Sequence, residues 1–98
     1  MKIVIQTLDF TLWEELELFI GETLKRLLRY PMPIIRAEVI LGEDNNDSSR
    51  PRFCNIRLIT AGDGYLVAQH AASWELAVEA AVDELGKKIK KDTSNSLR

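Results

Sequence analysis

The chain has 98 residues, 46% of them hydrophobic and 29% charged, with one cysteine and a net charge of −2. That size fits a single domain, and that balance excludes both a chain too apolar-poor to fold and a protein that coats nucleic acid through charge over its whole surface. A lone cysteine excludes an internal disulfide and a cysteine metal cluster, and no apolar run approaches the roughly 18 residues of a membrane span.

A reducing, cytoplasmic setting fits this cysteine usage. The apolar run Ile3-Val4-Ile5 is too short for a secretion signal. Lys2 to Leu8 is rich in β-branched residues and predicts a strand, with Ile3, Ile5 and Thr7 on one face and Val4, Gln6 and Leu8 on the other. Asp9-Phe10-Thr11 is a turn. Thr11 with Glu14 matches a capping box, which starts a helix running from about Leu12 to Arg29. Leu12, Leu16, Phe19, Ile20, Leu24, Leu27 and Leu28 recur at helical steps and predict its buried stripe. Its acids come early and its bases, Lys25, Arg26 and Arg29, come late, which complements the helix macrodipole. Pro31 and Pro33 end it.

Ile34 to Leu41 alternates, with Ile35, Ala37, Val39 and Leu41 inward and Arg36 and Glu38 outward. Gly42 to Pro51 is polar and reads as a loop. Arg52 to Thr60 is a third strand with Cys54, Ile56 and Leu58 inside. Ala61-Gly62-Asp63-Gly64 is a tight turn whose glycines can take positive φ, and Tyr65 to Ala71 is the hairpin partner. Ser73 is the expected N-cap of a second helix reaching Lys91. Trp74, Val78, Ala81, Leu85 and Ile89 form its core stripe; Lys87, Lys90 and Lys91 fall opposite it and Lys88 on its flank. Residues 1–91 are expected as one domain and 92–98 as a polar, flexible tail.

The first strand, helix and second strand form a βαβ unit, whose strands are parallel with a right-handed crossover. The later strands are hairpin-linked. Each helix has one apolar stripe, so both cover the same side of a four-stranded mixed sheet. The expected fold class is α+β, a two-layer βαβββα sandwich.

This order and these lengths resemble the bacterial hibernation-promoting factor and ribosome-associated inhibitor family, also called protein Y or sigma-54 modulation protein. The resemblance runs from Met1 to about Lys91. It is carried by Met1-Lys2-Ile3-Val4-Ile5, by Thr11-Leu12-Trp13-Glu14-Glu15-Leu16 through Phe19-Ile20 to Leu27-Leu28-Arg29-Tyr30, and by Ser73-Trp74-Glu75-Leu76-Ala77-Val78-Glu79 through Val82-Asp83-Glu84-Leu85. It implies a fold related to double-stranded RNA-binding domains and a seat in the decoding channel of the small ribosomal subunit, at the tRNA and messenger sites. It implies that bases of the helices contact 16S ribosomal RNA, that translation stops while ribosomes are stored, and that the protein is no enzyme. Long members carry a further dimerisation domain, so the chain resembles a short form.

Lys87, Lys88, Lys90 and Lys91 carry two readings. Taken alone they are cations at a solvated helix end, favoured by the dipole; with the resemblance they become phosphate contacts. Lys25, Arg26 and Arg29 are a second basic group with the same two readings. Phosphate contacts position without specifying sequence, and A-form RNA is recognised by shape. Three or four such contacts predict a slope of about −2 to −4 in log K against log salt. Arg36 and Arg57 are expected as partners of Glu38 across the sheet, while Arg50 and Arg52, beside Pro51, are minor candidates for RNA.

His70 has no second histidine or cysteine to build a metal site with, and reads as structural. Glu43, Asp44 and Asp47 lack the spacing of a calcium loop. Cys54 reads as a small core residue and Trp74 as a core anchor. Trp13 lies off the main stripe and is expected to be partly exposed, available to stack on a base or cover a partner. No nucleophile sits in a triad-like setting. Catalysis, a cofactor, a small-molecule substrate and a membrane partner are therefore not expected.

Overall fold

The computed structural model describes the backbone of residues 1–46 and 48–96, and side chains as far as Asp92. The elements run β1 (Lys2–Thr7), α1 (Glu14–Leu24) continued by a 3₁₀ segment (Lys25–Arg29), β2 (Ile34–Glu43), β3 (Arg52–Thr60), β4 (Tyr65–Ala71) and α2 (Trp74–Ser96). The strands form one four-stranded sheet in the order β1-β2-β3-β4. β1 is parallel to β2, and the other neighbours are antiparallel. This is the two-layer α+β architecture expected from the sequence.

Period-two alternation on each strand becomes a set of cross-strand rows. Ile3, Ala37, Leu58 and Tyr65 stand in one row, and Ile5, Val39, Ile56 and Val67 in the next. The strand residues of these rows join Leu16, Ile20, Leu24 and Leu27 of the first helical stretch and Val78, Ala81, Val82, Leu85 and Ile89 of α2 in one cluster. Both helices therefore cover the same side of the sheet. Each large aliphatic so buried contributes about 1.5–3 kcal/mol, which neither layer gains alone. The row Val4, Glu38, Arg57, Leu66 lies on the opposite, open side, where Val4 and Leu66 are exposed.

The first helix departs from its periodic reading at both ends. It starts at Glu14 with Trp13 as N-cap and no side-chain cap bond, so the Thr11–Glu14 box does not form. Phe10 stacks on Trp74 at 4.1 Å between ring centroids, and Trp13 meets the same ring edge-on at 5.8 Å. Reaching Trp74 from two positions keeps residues 10–13 out of the helix; this packing outweighs a cap bond worth about 1 kcal/mol. At the other end the chain tightens into the 3₁₀ segment from Lys25. The extra rotation per residue swings Leu28, expected in the core, out to solvent. Thr23 is buried and donates its hydroxyl to the Phe19 carbonyl at 2.7 Å.

Ile35 was expected to face inward but is exposed, because the β2–β3 register slips between Ile34 and Arg36. Ile34 packs against the core instead. β2 also runs to Glu43, beyond the expected loop start at Gly42. There the Phe53 ring crosses so closely that a Cβ on Gly42 would sit 2.5 Å from it. In the β3–β4 turn only Gly64 takes positive φ, at 76°, and a Cβ there would lie 2.5 Å from the Leu58 carbonyl oxygen.

Ser73 caps α2 as expected: its Oγ accepts from the Leu76 N–H at 3.2 Å. The helix passes Lys91 and continues to Ser96, so helical backbone includes residues expected in the tail. Tyr65 donates its hydroxyl to Asp92 Oδ2 at 2.7 Å, tying the base of this extension to β4. Among the described residues no helix is long and apolar enough to cross a membrane.

Candidate nucleic-acid interface

The 3₁₀ segment lies alongside α2, and a cleft of about 300 Å³ opens between them. Three-residue spacing in a 3₁₀ turn puts Arg26 and Arg29 on one line. Steps of three and four on α2 put Asp83, Lys87 and Lys90 on one face. Those two lines are the walls of the cleft, with Leu27 and Val82 between them and Tyr30 and Gly86 completing the lining. Two basic groups far apart in sequence thus meet in one hollow.

The lysines on the α2 wall are free to act. Lys87 and Lys90, and Lys91 beside them, are exposed and make no ion pair among the described residues. Arg26 Nη2 is 3.7 Å from Glu79 Oε1, a loose surface pair that holds little energy. Arg29 lies over the Tyr30 ring, 5.2 Å from its centroid, and donates from Nη2 to the Tyr30 oxygen at 3.4 Å. The remaining candidates stand apart from the cleft. Lys25 bonds Glu22 at 2.9 Å in open solvent. Lys88 lies 3.7 Å from Glu84, which also accepts from Gln69 of β4 at 2.6 Å, so Lys88 is drawn toward the sheet.

Tyr30 and Gly86 were not singled out as site residues, yet they shape the cleft. A Cβ on Gly86 would lie 2.9 Å from the Tyr30 oxygen and 3.7 Å from its ring. A glycine inside a helix costs about 0.5–1 kcal/mol relative to alanine. That cost was the available signal.

Other residues settle into structural roles. Arg36 pairs with Glu38 at 3.1 Å, and Arg57 stands opposite Glu38 in the β2–β3 register. The Arg52 guanidinium lies over Trp74 at 4.8 Å and donates to the Ala72 carbonyl at 2.9 Å, so it belongs to the aromatic corner. Trp74 itself donates from Nε1 to the Gly42 carbonyl at 3.1 Å. Trp13 is 41% exposed at that corner. His70 sits 3.8 Å from Asp44 and against Phe53. Among the described residues no group of His, Cys, Asp and Glu is arranged to hold a metal ion. Asp47, considered with the loop acids, lies outside the described residues. Cys54 is buried, and burial pushes its thiol up to about 12.

Two solved structures share this fold. The N-terminal domain of Thermus thermophilus Protein Y superposes with a TM-score of 0.80 at 22% identity, covering 93% of this chain and 98% of that one. A ribosomal subunit interface protein from Coxiella burnetii gives 0.79 at 12% identity, covering 96% and 99%. No curated protein matches at a significant level. The family model described as sigma 54 modulation protein / S30EA ribosomal protein matches residues 3–95. With nearly its whole length inside that match, the chain belongs to the sigma 54 modulation protein / S30EA ribosomal protein family, the hibernation-promoting factor family its sequence resembles.

Proposed function

We propose that the protein is a ribosome hibernation factor that binds the decoding channel of the small subunit through 16S ribosomal RNA and occupies the tRNA and messenger sites. It works in the cytoplasm, under stress that idles translation, and it acts by filling space rather than by catalysis. The observation that carries this reading is the convergence of Arg26, Arg29, Lys87 and Lys90 on one cleft. Family membership supports the ribosome as partner. Phosphates spaced along folded RNA suit two cationic walls, and four neutralised phosphates correspond to a salt slope of about −3 to −4. Replacing Lys87, Lys90 and Lys91 together by glutamate is expected to abolish cosedimentation with small subunits and to leave the circular dichroism spectrum unchanged. Normal cosedimentation of that variant would remove the cleft from the contact.

A second reading is a protein-interaction module that keeps the fold without binding ribosomal RNA; the net charge of −2 favours it. It predicts no saturable, salt-sensitive association with purified small subunits at low salt.

A further inference from the structure

We infer that the cleft between the 3₁₀ segment and α2 is a discrete pocket for one phosphate group, in which the Tyr30 hydroxyl is the positioning donor and Gly86 keeps that hydroxyl in place. This deepens the reading above and rests on it only for the source of the phosphate.

A phenol hydroxyl has one proton to give and two lone pairs to accept with. One lone pair of Tyr30 receives Arg29 Nη2 at 3.4 Å, and the proton has no acceptor among the described residues. This available donor lines a hollow whose other polar residues are Arg26, Arg29, Lys87, Lys90 and the single acid Asp83. Such a donor set is complementary to an oxyanion and to nothing cationic. Donation from Arg29 polarises the O–H, and an O–H bond to a charged oxygen is about twice as strong as a neutral one. The lysines bring charge without direction; the phenol brings direction without charge. Gly86 completes the device, since any side chain there would displace the hydroxyl that lies 2.9 Å from its missing Cβ. A volume of about 300 Å³ is at the small end of ligand pockets. It suits one phosphate with its sugar.

The phosphate is either a diester of RNA or part of a free phosphorylated ligand, and two assays on the full chain separate them. The first is an amide NMR titration of labelled protein with inorganic pyrophosphate. The second is binding to small subunits as a function of salt. Pyrophosphate is expected to give saturable shifts centred on Tyr30, Gly86 and Lys87. Tyr30→Phe, which keeps the ring, is expected to weaken this binding about tenfold, and Gly86→Ala is expected to do the same with the hydroxyl still present. If RNA is the source, Tyr30→Phe also lowers subunit affinity about tenfold without altering the salt slope, whereas Lys87→Gln reduces the slope by about one. If a free ligand is the source, only the pyrophosphate arm responds. Diffuse, unsaturable shifts over the lysines, or a Tyr30→Phe protein equal to wild type in both assays, would overturn the inference. A wild-type chain with no salt-sensitive subunit binding but a saturable pocket would overturn the ribosome reading and leave this one standing.

Discussion

Cys54 has no exposed surface, and burial pushes its thiol from the ordinary 9.0 up to about 12. The unfolded chain releases that proton near 9.0 and the folded chain only near 12. Its contribution to stability is therefore complete below pH 9 and lost as the pH climbs toward 12. Tyr65 moves the same way, from 10.0 to about 12, through burial first and then the bond and charge of Asp92. Urea midpoints are expected to fall steadily above pH 9. Cys54→Ala is expected to flatten the first part of that fall, between pH 9 and 10, where Tyr65 contributes little. Parallel profiles for the two proteins would contradict the assignment. Gly86 makes the opposite kind of statement. Alanine in its place restores about 0.5–1 kcal/mol of helix propensity, and the atom it strikes is the far end of the half-exposed Tyr30 side chain, which can move aside. Gly86→Ala is expected to raise the melting temperature while weakening binding.

Among the elements, the strands and α2 were readable because their burial follows a strict period. All five residues of the predicted α2 stripe, from Trp74 to Ile89, are buried. The departures lie where distant packing overrides a local signal. Thr11 offers a cap, but Phe10 and Trp13 are claimed by Trp74 on the other helix. Ile35 fits the alternation, but a register slip with β3 turns it outward. No local window contains either partner. Where no distant packing competes with the local signal, reading and structure agree, and energies follow. Ser73→Ala removes the cap bond to Leu76 and is expected to cost about 1 kcal/mol. Gly64→Ala forces an L side chain into φ 76° against the Leu58 carbonyl and is expected to cost about 1–3 kcal/mol. Denaturant midpoints check both; a Gly64→Ala protein as stable as the wild type would mean that the turn is less constrained than its geometry implies.

For the molecule as a whole, each wall of the cleft was visible in the sequence as a basic cluster, but their meeting was not. It depends on the 3₁₀ tightening after Leu24, which lines up Arg26 with Arg29 beside α2. The glycine at position 86 announced a close approach without naming Tyr30 as the neighbour. The same convergence explains how a chain with 13 basic and 15 acidic residues can present a cationic hollow. Net charge sets the long-range field, whereas a Debye length of about 8 Å at physiological salt leaves the local walls in control of contact. Asp83 is the one acid in that lining, so it tests the local claim directly. At roughly 7 Å in a water-like dielectric, removing one negative charge strengthens a phosphate contact by about threefold. Asp83→Asn is expected to tighten small-subunit binding by that factor at low salt and to lose the advantage as salt rises. An equivalent change at Glu15, in the first turn of α1 and about 16 Å along the helix from Arg26, alters net charge by the same amount and is expected to leave affinity nearly unchanged. Equal effects of the two substitutions would show that overall charge, not the cleft, governs association.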